Sequence, residues 1–389
     1  MSTSAPAGLR IGAVEPYWGG SHAHFLQDLQ RHSRHRIEFF KLPARHWKWR
    51  VRGAALNLAP AVNAAAGRRG FDVFLCSDFV NVPDFRALLA PALRAVPVLY
   101  YLHENQMTYP LSPAEEFDPY FGFTNVLSCL SADAVAFNSE FHRRDFLARL
   151  PKFLPRLPDY DRRGIVAAIT AKAEVLPLGL DVEELESHRL ASPPAGGPRR
   201  ILWNHRWEFD KRPEMFFAAL ATLASENIPF VADVAGESFA RHPPVFDTAR
   251  QELGPRLGRF GFVASRAEYI QCLWAADVVV STAQQEFFGI SMAEAIVCGA
   301  HPLAPRALVY ADWYAGTCAR HHLYRDGAEL VALLRRQLAA PRPHDCGIPA
   351  RMRALAWPVV ARRFDARFAA LARKFAPRRR AAAPGSATE

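Results

Sequence analysis

Short apolar runs alternate with amphipathic segments along most of the chain, and this pattern is typical of strands and helices that follow one another. In the first half, the runs predict strands at residues 9–14, 36–40, 72–76, 98–102, 134–137 and 174–178. In the second half, they predict strands at residues 201–204, 230–235, 259–263, 277–280 and 301–304. The sequence therefore predicts an α/β protein with two doubly wound, Rossmann-like domains that face each other across a cleft.

A Pro- and Gly-rich segment, SPPAGGP, marks the boundary between the two halves. We expect an N-terminal domain at residues 1–184, a linker at 185–199 and a C-terminal domain at 200–352. The chain should then continue as a helical segment at 353–375. A basic, weakly apolar tail at 376–389 is expected to be disordered.

Composition limits the class of protein. Half of the 389 residues are hydrophobic, the chain has no signal-peptide pattern, and no apolar run reaches about 18 residues, so we expect a globular, cytoplasmic protein without stable membrane insertion. The six cysteines show no CxxC motif and no Cys/His ligand spacing, which favours reduced core thiols over disulfides or a zinc site. Asp159–Asp161 (DYD) resembles a metal-binding D-x-D, but no strand precedes it and a loop is favoured. No metal site is predicted.

The net charge of +10 favours anionic partners, whether nucleic acid, nucleotide or an acidic membrane surface. An arginine-rich genome would give the same charge. The segment His46–Arg52 (HWKWRVR) mixes cations with aromatic rings and could contact RNA by stacking and charge. The alternative is a surface stretch whose long side chains lie along apolar neighbours.

Residues 281–299 (STAQQEFFGISMAEAIVCG) place a turn between a buried strand and a helix. The helix is expected from Ile290 to Cys298, and Gly299 suits the left-handed position that ends a helix. The turn EFFG thus lies at the carboxyl end of a strand, where open α/β sheets bind ligands. It also lies at the amino end of a helix, whose free N–H groups favour an anion.

Glu286 and Glu294 flank this helix start, with carboxylates expected about 10 Å apart. That spread exceeds the roughly 5–9.5 Å between glycosidase carboxylates. It suits the binding of hydroxyls on both sides of a diphosphate, with the helix N-terminus facing the phosphates. The alternative is one solvated helix glutamate and one loop glutamate, and spacing alone does not separate the two interpretations.

Two other predicted strands end in polar clusters. His103–Gln106 (HENQ) follows the apolar run VLYYL, and polar groups at a strand's carboxyl end are placed to meet a ligand, although a single histidine is usually structural. Arg206 and Lys211 follow the first strand of the second half, which delivers them to the same edge as EFFG. Two cations beside a helix N-terminus would hold a diphosphate leaving group. Surface charge is the alternative.

The loop EPYWGG separates the first strand from a helix that Ser21 is expected to cap. Gly19 and Gly20 would let the backbone approach a ligand closely. A simple tight turn is the alternative. The loop has neither the G-x-G-x-x-G fingerprint of dinucleotide-binding domains nor the P-loop sequence.

Together, these motifs resemble the retaining glycosyltransferases of family 4, which have the two-domain glycosyltransferase-B fold. The E-x7-E of that family matches Glu286 and Glu294, its Arg/Lys pair matches Arg206 and Lys211, and its glycine-rich first loop matches Gly19–Gly20. A narrower resemblance, to the tRNA-queuosine mannosyltransferases, spans roughly residues 9–370. The segments that carry it are PYWGGSH, HENQMTYP, LSCLSADAVAFNS, HRWEFDKRPE and EFFGISMAEAIVCG, in that order.

The resemblance implies transfer of mannose from GDP-mannose to queuosine in the anticodon of a tRNA of the tRNA-Asp type, without a metal or another cofactor. It implies that Glu286 holds sugar hydroxyls, Glu294 the ribose, and Arg206 and Lys211 the diphosphate, while His103 orients the sugar. His103, Arg206, Lys211 and Glu286 are thus the candidate catalytic residues. Further donor-binding candidates are Gly19, Gly20, Asn138, Phe288, Gly289 and Ile290, and acceptor-binding candidates are Glu15, Trp18, His22, Glu104 and Asn105.

Three other functions remain open at this point. A lipid-linked or polysaccharide acceptor would keep the fold and the donor class, although no basic amphipathic helix stands out as a membrane anchor. A nucleotide-sugar epimerase on the same fold would release free epimerised sugar nucleotide without an acceptor. A non-catalytic RNA-binding module would bind tRNA and leave GDP-mannose untouched.

Overall fold

A computed structural model describes residues 8–108, 110, 116–156, 162–189, 197–237, 242–314, 318–339 and 346–382. These residues form two compact units. The first unit comprises residues 8–108, 116–179 and 357–382, and the second comprises residues 110 and 180–356 with the gaps given above. Each unit contains one six-stranded sheet.

The sheet of the first unit is parallel, with strand order β2-β1-β3-β4-β5-β6. The strands are β1 (Arg10–Trp18), β2 (Arg36–Pro43), β3 (Val73–Ser77), β4 (Val98–Leu102), β5 (Ala134–Phe137) and β6 (Ala173–Val175). The helices are α1 (Gly20–His32), α2 (Trp47–Ala65), α3 (Val82–Leu88), α4 (Pro119–Ser131), α5 (Glu140–Phe153) and α6 (Arg162–Thr170). Every residue of β3, β4 and β5 is buried, because helices cover both faces of a parallel sheet.

The sheet of the second unit is also parallel, with strand order β12-β11-β10-β7-β8-β9. Its strands are β7 (Arg199–Trp203), β8 (Phe230–Ala235), β9 (Leu257–Gly261), β10 (Val278–Val280), β11 (His301–Pro305) and β12 (Leu323–Tyr324). Its helices are α7 (Val182–Ser187), α8 (Pro213–Ser225), α9 (Val245–Leu253), α10 (Arg266–Ala275), α11 (Ile290–Val297), α12 (Leu308–Trp313), α13 (Gly327–Ala339) and α14 (Ile348–Arg353).

The strand orders locate a ligand-binding edge in each unit. The order reverses between β1 and β3 in the first sheet and between β7 and β10 in the second. Ligands of doubly wound sheets bind at the carboxyl ends of the strands that flank such a reversal. The predicted class of two doubly wound α/β domains is confirmed.

The last helix, α15 (Trp357–Ala382), belongs to the first unit. Phe364 packs on Phe25 of α1 with ring centroids 5.6 Å apart, and Asp365 accepts a hydrogen bond of 2.5 Å from the Ser33 hydroxyl. Arg367 forms an ion pair of 2.5 Å with Glu174 in β6. After the second unit the chain thus returns to the first unit with α15. The first unit covers the apolar face of this helix.

The division into units differs from the one expected from the sequence. The boundary lies between Gly179 and Leu180, and α7 (residues 182–187) spans the boundary that was expected between the N-terminal domain and the linker. The terminal helix begins at Trp357 and continues to Ala382, past the expected start of the tail at residue 376. Most of SPPAGGP, the DYD sequence and residues 383–389 lie outside the described residues.

The start of the first domain also differs from the prediction. β1 continues to Trp18 instead of ending at Val14, because it pairs with β2 through Glu15 and, after a shift in register, through Trp18. The following helix begins at Gly20, and Gly19 occupies the N-cap position, so the prediction that Ser21 caps this helix is wrong. β12 and the long helix α2 were not predicted. β4, β5 and β8 have the predicted bounds.

None of the six cysteines forms a disulfide. Cys76, Cys129, Cys272 and Cys298 are buried, as expected of core thiols, whereas Cys318 and Cys346 are only partly buried. Within the described part of the chain, no helix has both the length and the apolar character needed to cross a membrane.

Candidate active site

The loop between β10 and α11 is held by the side chain of Glu286. Its Oε1 accepts hydrogen bonds from the backbone N–H of Gly289 at 3.0 Å and of Phe288 at 3.4 Å. Gly289 has a φ of +80°, and a Cβ there would lie 3.0 Å from Cη2 of Trp313. Glycine is thus required both by the left-handed backbone and by the close approach of the Trp313 ring.

Lys211 contacts this loop from the segment that follows β7. Its Nζ donates to the carbonyl oxygen of Gln285 at 2.9 Å and lies 3.1 Å from Asp210 Oδ2 and 3.6 Å from Glu286 Oε2. Burial lowers the pKa of Lys211, but Glu286 and Asp210 outweigh that effect and raise it. Burial likewise raises the pKa of Glu286, but Lys211 and His205 outweigh it and lower it. Both groups are therefore charged at neutral pH.

Arg206 lies in the same segment and is more exposed. Its Nη2 is 3.0 Å from Glu208 Oε2, and the arginine side chain is 47% exposed. Next to it, burial and then Lys211 lower the pKa of His205 to about 3, so this histidine is neutral. The surface-charge interpretation is wrong for Lys211, which is buried, and stays open for Arg206.

Glu294 lies on α11, one turn inside the helix, and is buried. Its Oε1 lies 2.6 Å from Nη2 of Arg266, whose Nε lies 3.0 Å from Glu184 Oε2. The interpretation of Glu294 as a solvated helix residue is therefore wrong. Arg266 was missed, because nothing in the sequence links an arginine at the start of α10 to a glutamate 28 residues later.

The start of α11 is fixed to the end of β7 by Asn204. The amide nitrogen of Asn204 donates to the carbonyl oxygen of Ser291 at 2.9 Å and to the Tyr269 hydroxyl at 3.0 Å. The second unit thus brings together Lys211, Glu286, Phe288 and Gly289, with Ile290 as the first residue of the helix behind them.

In the first unit, the predicted Glu15, His22 and His103 come together at the carboxyl ends of β1 and β4. His22 Nδ1 lies 3.1 Å from Glu15 Oε2, and the rings of His22 and His103 have centroids 4.1 Å apart. Asp78 follows β3 between them, and its carboxylate accepts from the backbone N–H of His103 at 3.4 Å and of Glu104 at 3.3 Å. Asp78 was missed, although it directly follows an apolar strand as HENQ does.

These groups have opposite preferences for a proton. Burial lowers the pKa of His22, but Glu15 and then Asp78 outweigh it and raise it to about 9. Burial and the neighbouring His22 and His142 lower the pKa of His103 well below its usual value. Burial raises the pKa of Asp78. The cluster therefore presents a cationic His22 beside a neutral His103, which can both donate and accept a hydrogen bond.

Other predicted residues support the local backbone. Asn105 Oδ1 accepts from the backbone N–H groups of Met107 and Thr108, each at 3.2 Å. Asn138 Nδ2 donates to the His103 carbonyl oxygen at 2.8 Å. Lys41 Nζ lies 3.9 Å above the ring of Trp18. These contacts account for the side chains within the fold, and their roles in substrate binding stay predictions.

The two predicted glycines of the first loop differ in their surroundings. A Cβ on Gly19 would lie 2.5 Å from the Ala44 Cβ, so packing alone requires glycine there. Gly20 has a φ of +48° and would place a Cβ in open space. Gly20 therefore leaves the amino end of α1 open, which is compatible both with a tight turn and with a ligand.

Two groups of described residues have the ligand types of a metal site. Glu15, His22 and His103 form one, and Cys318, His322 and Cys346 form the other; within each group the ligand atoms lie within 4.8 Å of one another. In the first group the raised pKa of His22 means that its ring favours binding a proton over binding a metal ion.

Solved structures with low sequence identity share this fold. The chain matches a sucrose-phosphate synthase from Thermosynechococcus elongatus with a TM-score of 0.64 and 16% identity, covering 96% of this chain and 98% of that one. It matches a UDP-forming α,α-trehalose-phosphate synthase from Burkholderia xenovorans with a TM-score of 0.61 and 12% identity, covering 95% of this chain and 99% of that one. At these identities the similarity establishes the glycosyltransferase-B type of fold alone.

Sequence comparison is more specific. Residues 10–180 match the family model described as the N-terminal part of tRNA-queuosine alpha-mannosyltransferase. The chain is 34% identical over 349 residues to the tRNA-queuosine alpha-mannosyltransferase of Drosophila melanogaster. The aligned region covers 88% of this chain and 89% of that protein. The chain therefore belongs to the tRNA-queuosine alpha-mannosyltransferase family.

Proposed function

We propose that this protein transfers mannose from GDP-mannose to queuosine in the anticodon of a tRNA, with retention of configuration. The observation that carries the proposal is the fixed pair of Lys211 and Glu286 beside the amino end of α11, in a chain of this family. The pair lies at the carboxyl ends of β7 and β10, where the strand order reverses. That is the edge at which a doubly wound domain binds a nucleotide.

The donor's diphosphate would lie against the cations of this edge. Lys211 is held in place by three oxygen atoms, so little reorganisation is needed when charge develops on the leaving group. Arg206, with its more exposed guanidinium, would complete the contact. The N–H groups at the start of α11 add to the positive potential.

Glu286 is suited to the sugar. A carboxylate has about four lone-pair sites. The two backbone N–H groups and Lys211 take up three of them. Oε2 can therefore accept a hydrogen bond from a sugar hydroxyl while the loop stays fixed. On α11, Glu294 would hold the ribose, and Arg266 orients its carboxylate.

The chemical step does not require an enzyme nucleophile. Cleavage of the anomeric bond leaves an oxocarbenium-like sugar and a diphosphate with additional negative charge. Lys211, Arg206 and the helix N–H groups stabilise that charge, and one such donor is worth about 3–4 kcal/mol of the barrier. We also propose that transfer needs no metal ion at the diphosphate, since these groups supply the positive charge.

The first unit would hold the cyclopentenediol of queuosine. Glu15 and Asp78 offer acceptors, cationic His22 offers a donor, and neutral His103 offers both. A vicinal diol needs such a mixture, because each hydroxyl both donates and accepts. Near the start of α2, Trp49 is 71% exposed in a basic segment and would stack on an unpaired base of the tRNA.

The test is incubation of the purified protein with GDP-mannose and total tRNA from cells that contain or lack queuosine, followed by mass spectrometry of the digested nucleosides. We expect a queuosine with the added mass of one hexose in the first sample alone. Transfer from another nucleotide sugar would change the donor assignment. Hydrolysis of a nucleotide sugar without modified tRNA would retain the glycosyltransferase and exclude the tRNA acceptor.

A further inference from the structure

The second unit contains a group of soft metal ligands that the glycosyl transfer does not use. Cys318 lies between α12 and β12, and His322 directly precedes β12. Cys346 lies two residues before α14. One ligand atom from each residue lies within 4.8 Å of the other two. The group does not show as a ligand motif in the sequence, because the whole of α13 separates Cys318 and His322 from Cys346.

We propose that Cys318, His322 and Cys346 bind a zinc ion that ties these three segments together. Tetrahedral zinc has bonds of about 2.3 Å to sulfur and 2.0–2.1 Å to nitrogen, which places its ligand atoms about 3.5–3.8 Å from one another. The observed atoms need to approach by at most about 1.3 Å to reach that geometry. Small side-chain rotations at two partly buried cysteines are enough for such a closure.

The hydrogen bonding of His322 supports the assignment. Nδ1 of its buried ring lies 3.0 Å from the carbonyl oxygen of Pro302. A carbonyl oxygen only accepts, so Nδ1 carries a proton and Nε2 is the ring nitrogen left to bind a metal. Metal-bound histidines are usually oriented by this kind of bond from the second ring nitrogen to a carbonyl or carboxylate.

The surroundings hold the imidazole in one orientation. The rings of Tyr314 and His301 both stack on His322, each with centroids 4.6 Å apart. The imidazole is therefore in place before a cation arrives, which lowers the entropic cost of binding.

The ligand types select the metal. Two thiolates and one imidazole favour zinc over Mg²⁺ or Mn²⁺, which prefer carboxylate, carbonyl and water oxygens. Three protein ligands leave the fourth position to water or to another group.

The position of the site assigns it a structural role. Arg351, on α14 shortly after Cys346, donates to the carbonyl oxygen of Trp313 at 2.6 Å. The Trp313 ring in turn lies against Gly289 of the candidate active-site loop. A metal that joins Cys346 to Cys318 and His322 would therefore fix α14 and, through it, the end of α12 on which that loop rests.

The test begins with the metal content of the full chain, purified under reducing conditions from zinc-supplemented medium. We expect about one tightly held zinc per chain. Cys318→Ser and Cys346→Ser should lose it, whereas Cys272→Ser, which alters a buried cysteine of the same unit, should retain it. With Co²⁺ in place of zinc, the unaltered chain should show a thiolate-to-cobalt charge-transfer band and the strong visible bands of a tetrahedral site.

A variant that does not fold would also lose its metal, so the unaltered chain provides the second measurement. A chelator should lower its Tm and make two additional thiols reactive, and zinc but not Mg²⁺ should reverse both effects. The proposal is overturned if the reduced, folded chain binds neither zinc nor Co²⁺ through thiolates. It is equally overturned if the native chain contains a Cys318–Cys346 disulfide, which would appear as a mass two hydrogens lower without reductant.

Discussion

Lys211 Nζ lies 3.6 Å from Glu286 Oε2, although 75 residues separate the two positions in the chain. The contact arises because β7 and β10 are paired, with Ile201 opposite Val278, and each strand delivers its following segment to the same edge. The charges are fixed before a substrate binds. That arrangement allows the pair to act on a diphosphate and on the neighbouring sugar without large rearrangement.

The first prediction concerns the cations of this edge. Lys211→Ala and Arg206→Ala should each lower turnover by about 10²–10³-fold, because each removes a charge that stabilises the leaving group. Arg206→Ala is the cleaner test. Its ion pair with Glu208 is partly exposed, so its loss should change the free energy of unfolding by less than about 1 kcal/mol. Steady-state kinetics with a saturating acceptor would measure the effect.

Arg259→Ala is a matched control for Arg206→Ala. The Arg259–Glu268 pair has the same 3.0 Å length, and Arg259 is 46% exposed. This variant should keep normal turnover. Near-normal turnover in both Lys211→Ala and Arg206→Ala would refute the assignment of these residues to the diphosphate.

The sequence predicts the site residues that directly follow strands. It does not predict the distant residues that hold those side chains in position. The alternation of apolar runs locates the strand ends, and topology then requires Lys211, Glu286 and His103 to lie at sheet edges. Those predictions use only local pattern and the general rule for parallel sheets. They can therefore be made without knowledge of any contact in the structure.

Contacts between residues far apart in the chain cannot be predicted in this way. Arg266 meets Glu294 through the packing of α10 on α11, and Cys346 lies close to Cys318 although the whole of α13 separates them in the chain. Residue type and spacing do not encode such contacts. The extension of β1 to Trp18 was missed for the same reason, since pairing with β2 overrides the polar Glu15 in the pattern.

A second prediction separates the two requirements for glycine at position 289. Gly289→Ala introduces a Cβ at a φ of +80° and 3.0 Å from Trp313, whereas Gly299→Ala introduces one at a φ of +96° with nothing within 4 Å. Both should lose about 1–2 kcal/mol of stability from backbone strain. Gly289→Ala should in addition lower kcat/KM for the donor by about tenfold or more, because the loop that holds Glu286 must shift.

Urea unfolding and donor kinetics on the two variants would measure these effects. If Gly289→Ala and Gly299→Ala have the same kinetics, the contact with Trp313 does not fix the active-site loop.

The third prediction is a pH dependence of stability. The pKa of His22 is raised to about 9 in the folded protein, chiefly by Glu15, against about 6.5 for an unfolded histidine. The charged ring should thus contribute roughly 3 kcal/mol, fully present below pH of about 6.5 and lost as the pH rises to about 9. The difference in unfolding free energy between the unaltered chain and His22→Gln should shrink across that range. A difference that stays constant from about pH 6 to about pH 9.5 would contradict the raised pKa.

The fourth prediction concerns the contact with tRNA. α2 begins at Trp47, which is partly buried and packs on Phe121 with ring centroids 4.9 Å apart, whereas Trp49 is 71% exposed. Stacking of one base on an aromatic ring is worth about 1–3 kcal/mol. Trp49→Ala should therefore weaken tRNA binding by about 5- to 150-fold, measured by fluorescence anisotropy at constant salt.

Leu56 provides the control for this variant, because it lies on the same helix and is 69% exposed but has no aromatic face. Leu56→Ala should bind tRNA as the unaltered chain does, and both variants should keep their stability because neither side chain is buried. Equal binding by Trp49→Ala and the unaltered chain would favour the interpretation of residues 46–52 as an ordinary basic surface. Weaker binding with an unchanged KM for the donor would instead show that this end of α2 contacts the nucleic acid, since the donor site lies on the second unit.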